Sequence, residues 1–302
     1  MRKLAVFRSV GEVYSGVFRH FIDLIRVAWL PLLVWAVVSI VGGWWFLQHM
    51  VENAAFLDDA ASQQARMEAF MEVMPTLYGM SFFKYLVLTV VAVGFHRFVL
   101  LGERHHGVGG TGFEFGRSEW LYIWSGIKIG LLFLAFGVVM AIVGAPNSGS
   151  FDPNSLPSAL VGALVLGYFA AVLCVMLVIG RLVLVLLHVA IGHASELRRI
   201  WDLSGGNSWR MIGYMLLISL LASPGVLAML LINWLLGIPM AQTPEALKEL
   251  LEHPTSYWIA SIVDLPIQIA WVMLTITMLS VAYREIIGLA PADVPGQGGE
   301  PL

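Results

Sequence analysis

Six apolar stretches, 27–47, 81–101, 121–144, about 160–187, 211–236 and 258–282, alternate along the chain with segments of polar and charged residues. Each is long enough to supply the roughly 20 residues that carry an α-helix across the hydrocarbon core of a bilayer. The pattern predicts an all-α polytopic membrane protein with six transmembrane helices. The longest polar connection of helical character, RLVLVLLHVAIGHASELRRIWDLSGGNSWR at 181–210, joins the fourth span to the fifth.

Ahead of the first span, Arg8, Glu12, Ser15, Arg19, Asp23 and Arg26 recur every three or four residues, while Phe7, Val10, Val17, Phe21 and Leu24 cover the other side. That periodicity predicts an amphipathic helix over 7–26 lying in the membrane interface, supported by the spacing of Arg8 to Glu12 and of Arg19 to Asp23. A solvated lead-in is the competing reading. The segment 48–80 is acidic and Met-rich, and a short surface helix is expected within it. Pro, Gly, Asn and Ser over 145–157 mark a turn, and Thr243, Pro244 and Glu245 form a helix-start signal for a short outer helix that stops at Pro254. The expected organisation is an interfacial segment 1–26, a six-helix domain 27–287 and a disordered Pro/Gly-rich tail 288–302.

Charge orients this model. Of the 17 Lys and Arg, only Arg66, Lys84 and Lys248 fall away from the side reached by the second and fourth loops and both termini. By the positive-inside rule both termini and the connections around Gly107 and Arg199 are cytoplasmic, in a bacterial inner membrane. Composition agrees: 59% of residues are hydrophobic and 12% charged, with a mean hydropathy of +0.82. A net charge of −3 gives no basic excess for binding nucleic acid. The single cysteine, Cys174, lies within an apolar run and reads as a buried, inert thiol. Residues 1–26 lack the uninterrupted apolar core of a cleavable signal.

Few constellations carry chemistry. The Gly-rich run beginning at Gly107 follows a membrane helix, whereas a dinucleotide fingerprint follows a strand. Glu103, His105 and His106 lack the spacing of a helical metal site, and His188 and His193, five apart, do not share a helix face. No nucleophile–base set has supporting spacing, so no catalytic residue, metal site or cofactor is assigned. Two polar groups remain. Ser261, Asp264, Gln268 and Thr275 share one face of the sixth span, with Asn233 of the fifth at matching depth, and this stripe is expected to point into the bundle. Arg97, Arg181 and Arg284, the last beside Glu285, end the second, fourth and sixth spans in similar apolar settings. Such recurrence points to three helix hairpins in pseudo-repeat; snorkelling arginines in unrelated helices are the alternative.

The segments FHRFVLLGE, FGRSEW, ELRRIWDLSGGNSWRMIGYMLL and AYREIIG resemble the helix-end motifs of a bacterial six-helix membrane family, itself similar to the membrane domain fused to some glycerophosphodiester phosphodiesterases. In those fusions hydrolysis belongs to a separate soluble barrel, for which the six spans leave no room here. The resemblance implies a membrane module without the enzyme. The expected function is accordingly a non-catalytic module that binds membrane lipid or another membrane protein. The alternative is a small-solute or ion-coupled transporter, for which Ser223, Pro224 and Gly225, expected to break the fifth span, are the best backbone signal.

Overall fold

The computed structural model describes residues 3–52, 63–102, 115–144, 158–238, 250–252 and 254–287. Among them the chain is helical with no strand: α1 Val6–Arg19, α2 Phe21–Val27, α3 Trp29–Glu52, α4 Gln63–Leu101, α5 Arg117–Gly144, α6 Ser158–Leu182, α7 Leu184–Ala190, α8 Leu197–Leu203, α9 Ser208–Leu235 and α10 Pro254–Ile287. Six of these helices are long and apolar enough to cross a membrane, the fourth crossing being α6 continued by α7. The protein is an all-α polytopic membrane protein. The Gly107 loop with Glu103, His105 and His106, the 145–157 turn, the Thr243 helix start and the 288–302 tail lie outside the described residues.

Three expectations about helix boundaries are corrected. The Met-rich segment does not form its own surface helix; from Gln63 it runs unbroken into the second span as α4, crossing Pro75. Nothing between 63 and 80 stops a helix except that proline, which removes one backbone donor. The fifth span is likewise unbroken at Pro224. The carbonyl that Pro224 leaves without its amide partner is that of Leu220, and the Ser223 hydroxyl donates to it at 2.7 Å. A serine placed before the proline thus supplies the missing bond, and the helix continues. Finally, the amphipathic segment is two helices, α1 and α2, which bend at His20 (φ −109°, ψ 19°).

Packing is concentrated at the end of the bundle where Arg97, Arg181 and Arg284 lie, here called the arginine pole. One hydrophobic cluster there joins Leu4, Val13 and Val17 of the N-terminal segment, Leu24 of α2, Val91 to Phe98 of α4, nearly all of α7, and 273–286 of α10. Segment 1–26 therefore shares its core with 27–287. At the opposite pole the described core shrinks to Leu47 and Leu250 with a few neighbours. α3 packs along α4 and α9 along α10, whereas among the described residues α5 and α6 make few contacts and α6 lies against α9. Cys174 is exposed on the outer surface of α6 rather than buried, because α6 meets neighbours on only part of its circumference.

Close approach of α3 to α10 depends on Gly43. A Cβ there would lie 2.5 Å from the Tyr257 hydroxyl, which donates to the Ile40 carbonyl at 2.9 Å. Gly43→Ala is expected to lower the thermal stability of the detergent-solubilised protein by about 1–3 kcal/mol. Gly213→Ala, with open space around its Cβ, should be neutral or slightly stabilising in the same assay.

Candidate functional site

The arginine pole is built from short polar contacts between spans and the segments that lead into them. Arg97, at the end of α4, donates through Nε to the Ala190 carbonyl at 2.8 Å and pairs through Nη1 with Glu119 Oε1 at 3.5 Å. Glu119 is almost fully buried in the first turn of α5, and its second oxygen accepts the Gly116 amide at 2.8 Å. A carboxylate folded back on the amide three residues earlier is how a helix start satisfies its own donors. Arg181, at the end of α6, donates to the Trp201 carbonyl and, at 3.2 Å, to the Ser204 hydroxyl; its guanidinium lies 3.7 Å from the centre of the Trp201 ring. Arg284, at the end of α10, pairs with Glu12 of α1. The expected cluster of Arg97, Arg181 and Arg284 is thus three separate sites, each closed by a different segment. Glu285 is half-buried beside Arg284.

Deeper in this pole lie buried polar groups that the sequence did not flag as a group. His96 contacts the Ser280 hydroxyl through Nδ1 at 2.8 Å and the Tyr122 hydroxyl through Nε2 at 3.4 Å, tying α4 to α10 and α5. His188 contacts the Tyr283 hydroxyl at 2.6 Å and stacks on His193, ring centres 4.4 Å apart. The expectation that the two histidines stay apart holds only for a straight helix. Gly192 (φ +94°) reverses the chain after α7, and the amides of Gly192 and His193 return to the carbonyls of Val189 and His188 at 2.9 and 3.1 Å. This is a Schellman cap, and the glycine that permits it is the signal that could have predicted the stack.

The N-terminal segment is held by the same means. Asn207, which precedes α9, accepts the Leu4 amide at 3.0 Å, and Arg210 donates to the Leu4 carbonyl at 2.9 Å. The Tyr14 hydroxyl donates to the Ile218 carbonyl at 3.0 Å, and burial pushes that phenol above its ordinary range. Between α1, α2, α4 and α10 these contacts leave a recess of about 310 Å³ lined by Arg19, His20, Thr277 and Arg284.

The stripe on α10 divides. Asp264 is buried against α9 and accepts from Asn233 Nδ2 at 2.9 Å, so these two residues meet as their depths implied. The second Asp264 oxygen is buried without a hydrogen-bond partner among the described residues. Ser261 and Gln268 face α3 and α4 instead, where with Ser39 and Lys84 they line a recess of about 320 Å³. Thr275 is exposed on the outside of the bundle. Its hydroxyl donates to the Trp271 carbonyl at 2.9 Å, so it is satisfied within its own helix and needs no bundle partner.

Comparison with family models, with curated proteins and with solved structures gives no match.

Two mutational outcomes follow. Arg97→Gln leaves the Glu119 carboxylate buried without its cation and should cost about 3 kcal/mol or more; Arg97→Gln with Glu119→Gln should recover most of that loss, read as thermal stability in a double-mutant cycle. At the other site, Asp264→Leu and Asn233→Ala should each destabilise by about 1 kcal/mol while Asp264→Asn is silent, as expected of a hydrogen-bonded clamp between helices. A pH-dependent activity lost in Asp264→Asn at unchanged stability would assign that carboxylate to ion coupling instead.

Proposed function

We propose that this protein is a non-catalytic integral membrane module that binds lipid at its arginine pole, and that this pole faces the cytoplasm of a bacterial inner membrane with both termini on that side. One observation carries the reading: the arginine pole presents exposed aromatic side chains where the crossings that start there begin. Trp29, Trp120 and Trp209 are exposed in the first turns of α3, α5 and α9. Beside them α1 packs against α9 and α10 with Val10, Val13 and Val17 buried, and its Phe7 and Phe18 are 82% and 74% exposed. Those two residues, eleven apart, share a face. Tryptophans where a crossing begins mark a membrane–water boundary, and an outward phenylalanine pair on a docked helix belongs in the acyl–headgroup region. The bias of Lys and Arg to this pole supports the cytoplasmic orientation, and the resemblance of the helix-end segments to a membrane module without its own hydrolase supports the absence of catalysis.

A transporter for a small solute or ion is the second reading, and the observation in its favour is the recess that holds Lys84, Ser39, Ser261 and Gln268 between α3, α4 and α10. An ionisable side chain inside a span commonly marks a pathway. The fifth span, continuous across Pro224, no longer contributes to it.

Spin labelling in proteoliposomes tests the lipid reading in a Cys174→Ser background, a replacement made necessary by the exposure of Cys174. A nitroxide at Phe18→Cys should be reached by oxygen and shielded from a water-soluble nickel relaxant, while one at Ser15→Cys shows the reverse. Arg198→Cys should react with an impermeant maleimide only after the cytoplasmic side is opened. Equal water access at positions 18 and 15 would remove α1 from the interface, and labelling of position 198 from outside would invert the topology.

A further inference from the structure

The recess at the arginine pole has the composition of an anion site with an apolar floor. Its mouth carries the Arg19 guanidinium from the last turn of α1 and the Arg284 guanidinium, which also pairs with Glu12; the Glu12 carboxylate is on the wall, turned to Arg284. Arg19 is exposed and makes no hydrogen bond or ion pair with the other described residues. Inside, the Thr277 hydroxyl belongs to a residue only 4% exposed and is buried without a hydrogen-bond partner among the described residues. That is unusual for a helical threonine, whose hydroxyl can bond a carbonyl of its own preceding turn, as Thr275 and Thr89 do here. His20 Nδ1 is likewise buried without a hydrogen bond; it stands 3.4 Å from Asp23 Oδ2 but without the alignment of one. Leaving a buried donor unmade costs on the order of 1–3 kcal/mol, so the Thr277 hydroxyl in a cavity that Arg19 also lines points to a ligand that supplies acceptors.

Resting on the lipid reading above, we propose that this recess binds the phosphate group of an anionic membrane lipid, with Arg19 as the charge contact and the Thr277 hydroxyl and the His20 ring as donors. A phosphate offers the several strong acceptor oxygens that these donors lack, and guanidinium is the side chain best matched to it. The rest of the lining, including Leu24, Val99 and Val281, is apolar and suits the glycerol and proximal acyl carbons that follow a lipid phosphate. The level agrees, since the recess opens beside α1, the helix assigned to the interface. A soluble phosphate compound carries the same headgroup chemistry without the chain.

The test is native mass spectrometry of the full chain in mild detergent, titrated with phosphatidylglycerol, phosphatidylcholine or inorganic phosphate. Phosphatidylglycerol should bind at one site, at least about tenfold more tightly than phosphatidylcholine. Arg19→Gln should weaken it about tenfold, and Thr277→Val, which keeps the shape, about fivefold. Arg26→Gln is the control: it removes an equal charge from the exposed side of α2, away from the recess, and should leave binding unchanged. Equal losses in Arg19→Gln and Arg26→Gln would reduce the effect to diffuse surface charge and overturn the site, as would unchanged binding in Thr277→Val. Saturation by inorganic phosphate that Arg19→Gln and Thr277→Val both weaken would keep the phosphate site and assign it a soluble ligand. The spin-label result at Phe18 does not depend on this recess, so failure here with α1 confirmed in the interface overturns the phosphate site alone.

Discussion

An arginine at the end of a membrane helix has five donors to satisfy in a place where water is scarce, and the architecture of this protein follows from how three such arginines are satisfied. Each ends one crossing and is met by the segment that leads into another. Arg97 of α4 meets Glu119 at the start of α5; Arg181 of α6 meets Trp201 and Ser204 of the segment preceding α9; Arg284 of α10 meets Glu12 of α1, which precedes α3. The last pairing joins α10, the last described helix, to α1 and makes α1 part of the set. The partners differ chemically, a buried carboxylate, a carbonyl with an indole face, and a half-buried carboxylate, so the recurrence is one of position and not of motif.

From this follows the uneven packing. Polar contacts at one pole draw α1, α2, α7 and α8 between the crossing helices, and their apolar faces complete the large core there. In a bilayer no hydrophobic force drives the remaining lengths together, since acyl chains solvate leucine as well as another leucine does. Among the described residues the opposite pole is accordingly held by a few specific contacts, among them Asn233 to Asp264 and Tyr257 to the Ile40 carbonyl. Among the described residues, Leu131 to Leu134 of α5 and Leu166 and Phe169 of α6 are left exposed by that arrangement.

What the sequence made legible is what depends on composition and depth. Six crossings follow from the run lengths, and the meeting of Asn233 with Asp264 follows from equal depths on consecutive antiparallel helices. Pairings set by the third dimension were not legible: Arg8 and Glu12 are spaced as helix neighbours, yet Glu12 turns to Arg284, because α1 docks on α10. The single face drawn through Phe7, Val10 and Val17 proved to be two, with the valines against protein and the phenylalanine outward. Periodicity separates apolar from polar but does not distinguish lipid from a neighbouring helix. Thr275 shows the converse limit, since a hydroxyl that bonds its own helix carries no information about which way it faces. The continuity of α9 has its cause, Ser223 ahead of Pro224, in the sequence itself.

The central claim is that α1 and α2 are part of the packed body of the arginine pole and not a loosely attached lead-in. Hydrogen–deuterium exchange followed by mass spectrometry in nanodiscs measures this directly. The account predicts that amides of residues 6–27 exchange as slowly as those of 273–286 in α10, and that Glu12→Gln accelerates both segments together. Rapid exchange across 6–27 while α10 stays protected, with Glu12→Gln affecting neither, is the result that contradicts it.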